Sequence, residues 1–137
     1  MASKHSTTEI PDNRALSDEE RSLVGWMLEH GESRAPSFLP QLEQARVAAR
    51  CHCGCASINF AIASQRAPNS GPMDILSDYV WQDSERHKFG AFVFARGGLL
   101  AGLDVYSVDG AVTPTWLPKP SQLRPLPFAN TRGLTPM

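Results

Sequence analysis

All three cysteines of the 137-residue chain fall inside the stretch Arg50-Cys51-His52-Cys53-Gly54-Cys55-Ala56-Ser57-Ile58. Thiolates at alternate positions suit a soft ion such as zinc or copper(I), and His52 sets an imidazole beside them. The spacing departs from the common structural zinc module, which takes two ligand pairs, each with about two to four intervening residues, from separate knuckles. Cys51 and Cys55 fit that gap, but the sequence has no second cysteine pair. A fourth ligand would have to come from His5, His30, His52, His87 or a carboxylate. The metal set read from the sequence is therefore Cys51, Cys53 and Cys55 with His52 and His87, and no cofactor is expected beyond a zinc or copper(I) ion held there.

Two other uses compete for the same residues. In the first, which the sequence favours, Cys51 ends one strand, Gly54 permits a left-handed turn and Ser57 starts the next strand, with the thiols packing as small hydrophobes. In the second, one thiol is a nucleophile; its thiolate would need a cation, and Arg50 and His52 are the local candidates. No nucleophile elbow, zinc-protease helix or phosphate-cradling glycine loop occurs elsewhere, so no catalytic residue is assigned.

The elements that must position this stretch are legible from periodicity and punctuation. Ser17-Asp18-Glu19-Glu20 is a capping box that opens a helix with acids in its first turn. Leu23, Val24, Met27 and Leu28 form its apolar stripe, and Gly31 stops it, with His30 placed near the last carbonyls. Ser37 is expected to cap a second, short helix that tolerates Pro40 in its first turn and places Phe38, Leu42 and Ala45 at helical spacing. Val47, Ala49 and Cys51 alternate, as do Ile58, Phe60 and Ile62, which predicts a hairpin with the cysteines at its bend. Ile75 to Trp81 reads as a strand, and the charged run from Gln82 to Lys88, which holds His87, as a solvated loop.

Gly97-Gly98 predicts a two-residue turn of the primed type between strands running from Phe89 to Val108. Pairing Arg96 with Leu99 then sets Phe94 opposite Ala101 and Phe92 opposite Leu103 on the core face, leaving Val93, Leu100, Gly102, Asp104 and Tyr106 on the other. Gly102 is flagged as a site for a bulge. The last stretch carries Pro114, Pro118, Pro120, Pro125, Pro127 and Pro136, which exclude a central strand or long helix there. Trp116, Leu117, Leu126 and Phe128 are too apolar for a free tail and are read as contacts to the sheet or to a partner subunit.

The expected fold is α+β: two N-terminal helices packed on an antiparallel sheet of four to five strands, with an extended proline-rich tail. Residues 1–15 are expected to lack fixed structure, and residues 16–137 to form one domain. Hydrophobic residues at 42% and charged residues at 20% are ordinary for a folded domain. Thirteen basic against fourteen acidic residues leave a formal charge of -1, which excludes a field strong enough to gather nucleic acid. The start lacks the apolar core of a signal peptide, and no apolar run approaches the roughly 20 residues of a bilayer span. An odd, clustered set of thiols fits a reducing compartment, so a cytoplasmic location is expected.

The segment Cys-x-Cys-Gly-Cys-Ala-Ser-Ile, together with the capped helix and the run Gly102-Leu103-Asp104-Val105-Tyr106-Ser107, resembles a group of small bacterial proteins of unassigned function over Leu16 to Leu123. The resemblance implies a bacterial source and carries no activity. The sequence thus favours a non-catalytic binding or protein-interaction module, with a protein partner or a homo-oligomer. The alternative is a zinc or copper(I) protein using the Cys51–Cys55 cluster, and the third reading is a cysteine-dependent enzyme.

Overall fold

The computed structural model describes residues 9–125. Helix α1 spans Asp18–Glu29 and starts as its sequence dictates: the Ser17 hydroxyl accepts from the Glu20 amide, and the Glu20 carboxylate accepts from the Ser17 amide. His30 closes the helix, its Nδ1 within 2.9 Å of the Trp26 carbonyl and its ring stacked on Trp26 at 4.1 Å. Leu23, Val24, Met27 and Leu28 are fully buried. Each such side chain withdrawn from water stabilises the fold by about 1.5–3 kcal/mol, which is what holds α1 against the sheet.

The second helix is shorter than its spacing suggests. A 3-10 turn over Ala35–Phe38 runs into α2, which covers only Leu39–Glu43, and the Ser37 hydroxyl donates to the Arg34 carbonyl without capping α2. Pro36 and Pro40 each sit near the start of their turn, where a missing amide costs no internal bond.

Eight strands follow one antiparallel pattern: β1 Glu9–Ala15, β2 Ala45–Cys51, β3 Ile58–Ile62, β4 Gln65–Arg66, β5 Asp74–Gln82, β6 Lys88–Arg96, β7 Leu99–Ser107 and β8 Arg124–Pro125. Their order in the sheet is β1-β2-β3-β7-β6-β5-β8, with β4 paired to β3. The expected architecture of two helices on four to five strands is therefore corrected to a sheet-dominated one, with 43% strand against 21% helix. The three additional strands carry no periodic signal. β4 and β8 have two residues each, and β1 is polar and contains Pro11, which an edge strand tolerates because one side of its backbone needs no partner. The expectation that residues 9–15 lack fixed structure is corrected with it, since β1 pairs with β2 from Glu9↔Cys51 to Ala15↔Arg46.

The β6–β7 hairpin turns at Gly97-Gly98, both in the left-handed region at φ 59° and 79°, and Arg96 faces Leu99 as expected. Beyond that pair the register slips. Ala95 faces Leu100, but Phe94 faces Gly102, so Ala101 is an extra residue in β7; Leu103 keeps the core face expected of it, while the faces of β6 are the reverse of those expected. The core face is consequently Phe89, Ala91, Val93 and Ala95 with Leu103 and Val105, whereas Phe92, Phe94 and Tyr106 cluster on the opposite face at centroid distances of 5.7 and 6.1 Å. Gly102 is required at this point. A Cβ there would lie 2.7 Å from the Ile58 carbonyl oxygen and 2.8 Å from Asn59 Oδ1, so only glycine lets β3 approach β7.

The segment after β7 does lie against the sheet. Leu117 and Val112 pack on the core, Leu123 is buried, and β8 pairs with β5 through Tyr79↔Pro125 and Val80↔Arg124. Among the described residues, no helix is long and apolar enough to cross a membrane.

Candidate thiolate site

β2 and β3 are antiparallel neighbours, with Arg50 opposite Ile58. The residues between them must reverse the chain at the open end of the pair. Gly54 does so at φ 91° with nothing near the position of a side chain, so its role is conformational and not a close approach. The Gly54 amide donates to the Cys51 carbonyl and the Cys51 amide to the Ser57 carbonyl, both at 3.3 Å. The tail fixes the far side of the bend, because the Ala56 amide donates to the Pro114 carbonyl at 2.9 Å.

This curl turns alternate side chains inward. The sulfurs of Cys51, Cys53 and Cys55 all lie within 4.8 Å of one another. Cys51 Sγ and Cys53 Sγ approach to 2.7 Å, the Cys53 amide points at Cys51 Sγ at 3.4 Å, and the Cys55 amide at Cys53 Sγ at 3.3 Å. Cys53 is exposed, and Cys51 and Cys55 are half-buried. The bend is therefore where the sequence places it, but the expected packing of the thiols as buried hydrophobes is corrected. They stand at a turn that is only partly covered, and face one another.

The three thiols are not equivalent. Burial, followed by the hydrogen bond to Cys53, pushes the Cys51 thiol up to about 12. Cys53 is held below the usual thiol range because Cys51, and after it Cys55, share a hydrogen bond with its sulfur. The centre of the group thus favours a thiolate solvated by its two neighbours and by the Cys55 amide. Cys55 is tied outward, its thiol donating to Ser57 Oγ at 3.3 Å. Ser57 in turn donates to Asp104 Oδ1 at 2.7 Å and accepts from the Val105 amide at 2.8 Å, which anchors the bend to β7.

Two clefts flank the group. One, of about 230 Å³, is lined by Arg14, Arg50, Cys55 and Trp116 among others; the second, of about 220 Å³ on the Phe94 face of the sheet, includes Cys51, Ser57 and Asp104. Arg50 stands 3.7 Å from Asp12, while Arg14 is held by Asp12 at 3.1 Å and Glu20 at 2.8 Å.

Of the residues singled out in the sequence, the three cysteines come together and the imidazoles do not join them. His52 is exposed within the bend. His87 is corrected as a ligand: its Nδ1 lies 2.9 Å from Asp83 Oδ2 inside the β5–β6 turn, and among the described residues no histidine or carboxylate belongs to the thiol group. The Asp83 hydrogen bond raises His87 above the ordinary imidazole value, as expected of a histidine committed to a carboxylate. Trp116 is 40% exposed with its ring edge-on to Phe89 at 5.2 Å, and Leu117 faces the core. Leu126 and Phe128, like His5, lie outside the described residues. Sequence reasoning missed Ser57 and Asp104 as the support of the bend; they are 47 residues apart, and no local pattern couples them.

No protein-family model, curated protein or solved structure matches the chain.

Proposed function

We propose that the protein is a non-catalytic binding protein that holds a soft metal ion, zinc or copper(I), on Cys51, Cys53 and Cys55, and works in the reducing cytoplasm where these thiols stay free. One observation carries this reading: three sulfurs within 4.8 Å of one another at a solvent-accessible bend. Packing alone gives no reason for such a group, since a thiol used as a small hydrophobe is buried among carbon atoms. Thiolates select zinc and copper(I) among biological ions, and a short chelating turn supplies three of them without rearranging the sheet. Elemental analysis of protein purified anaerobically without chelator tests the reading. About one equivalent of zinc or copper per chain is expected, and metal-free protein that takes up neither ion on addition would end it.

A second reading, a protein-interaction surface, is favoured by Trp116, which is 40% exposed beside the thiol cleft although its neighbour Leu117 packs inward. Size-exclusion chromatography with light scattering on wild type and Trp116→Ala tests it. A self-associated species lost in the variant supports a homo-oligomer built on this side chain; a monomer in both removes that support.

A further inference from the structure

We infer that the ion is copper(I), bound by the three sulfurs alone; this rests on the thiolate-site reading above and specifies its ligand. The donor set favours it, because the group holds three sulfurs and no fourth protein ligand. Structural zinc is almost always four-coordinate, so a zinc ion on Cys51, Cys53 and Cys55 needs one more ligand. Both described imidazoles outside the bend are committed elsewhere, His30 to the Trp26 carbonyl and His87 to Asp83. The carboxylates lining the two clefts are placed otherwise as well. Glu9 faces Arg66 at 3.4 Å, Glu20 takes Arg14, Asp104 takes Ser57, and Glu19 stands in the first turn of α1. A monovalent, soft ion is satisfied by thiolates alone and asks nothing further of the fold.

Access agrees with this assignment. Three thiolates around a monovalent ion leave two negative charges, which the exposed tip of the bend leaves to solvent, since Arg14 and Arg50 in the neighbouring cleft are held by Asp12 and Glu20. Cys53, at the tip, is exposed, so the ion can enter from and leave to another thiol ligand without opening the core.

His52 is the one imidazole within the bend, and it separates the alternatives. The experiment is an anaerobic competition in which the full-length protein is titrated with copper(I) buffered by a chromophoric chelator, then challenged with zinc at about tenfold excess. It is run in parallel on His52→Ala and on the conservative Cys53→Ser variant, with circular dichroism confirming that each is folded. The expected result is one copper(I) per chain, retained against zinc, unchanged in His52→Ala and weakened at least about tenfold in Cys53→Ser. Zinc that displaces the copper, or copper binding that collapses in His52→Ala, overturns the assignment to a three-sulfur copper(I) site while leaving a metal site in place. Binding of neither ion overturns the underlying thiolate-site reading instead.

Discussion

The sulfur of Cys51 lies 2.7 Å from that of Cys53, Cys51 half-buried and Cys53 exposed at the tip of the bend. Alkylation of the metal-free protein should therefore proceed in order. Cys53, exposed and held below the usual thiol range by the hydrogen bonds it shares with Cys51 and Cys55, reacts first. Cys51, pushed up to about 12 by burial and its bond to Cys53, reacts last. Peptide mapping after timed iodoacetamide treatment reads the order; equal labelling of the two would contradict the geometry.

Ser57 joins the thiol group to β7 through Asp104 and the Val105 amide. Replacing it with alanine removes the acceptor of the Cys55 thiol and the clamp on the bend without touching a sulfur. Metal affinity should drop by about 10- to 100-fold, the usual cost of losing a group that orients a ligand, while the far-ultraviolet circular dichroism stays unchanged. An affinity equal to wild type would mean that the bend holds its shape without this anchor.

Gly102 sits where β3 closes on β7, and a methyl group there would meet the Ile58 carbonyl oxygen at 2.7 Å. Gly102→Ala should lower the urea unfolding free energy by about 1–3 kcal/mol, because backbone must shift to admit it. Gly54→Ala should cost less, about 1 kcal/mol, since its penalty is the left-handed backbone at φ 91° and nothing crowds it. The reverse ranking would contradict the sheet order β3-β7.

Glu20 and His87 respond to pH in opposite directions. Burial works to raise Glu20, but the bonds from Arg14 and Ser17 outweigh it and its folded value is lowered. Its contribution is present above the ordinary carboxylate value of about 4.3 and disappears as pH falls through the lower folded one. His87 is raised by Asp83, so its contribution is complete below about 6.5 and is lost as pH rises through the folded value. Proton NMR of His87 in wild type and Asp83→Asn checks the second case. The titration midpoint should fall in the variant; an unmoved midpoint would dissociate His87 from Asp83.

Local chemistry made much of this fold legible. The capping box at Ser17 and Glu20, the stripe of Leu23, Val24, Met27 and Leu28, the diglycine turn and the bend at Gly54 all depend on residues within one turn of each other. What stayed hidden is set at longer range. β1 is paired through backbone groups and its only large aliphatic side chain is Ile10, so no alternation reveals it. The extra residue at Ala101 shifts the pairing by one, so that β6 presents the face opposite to the expected one while Leu103 of β7 stays in the core, and the aromatic residues Phe92 and Phe94 attract a core assignment that the smaller Ala91, Val93 and Ala95 fill. The cysteines were visible as a cluster, but alternate spacing in an extended strand and in a curled bend read alike. Only the curl, pinned by Pro114 and Ser57, turns their sulfurs toward one point.

That convergence is tested most directly by X-ray absorption at the metal edge of the loaded protein, beside a variant in which Cys51, Cys53 and Cys55 are all serine. A first shell of three sulfur atoms, absent from the variant, is the predicted spectrum. A shell dominated by nitrogen or oxygen, or an identical spectrum from the variant, would contradict the account.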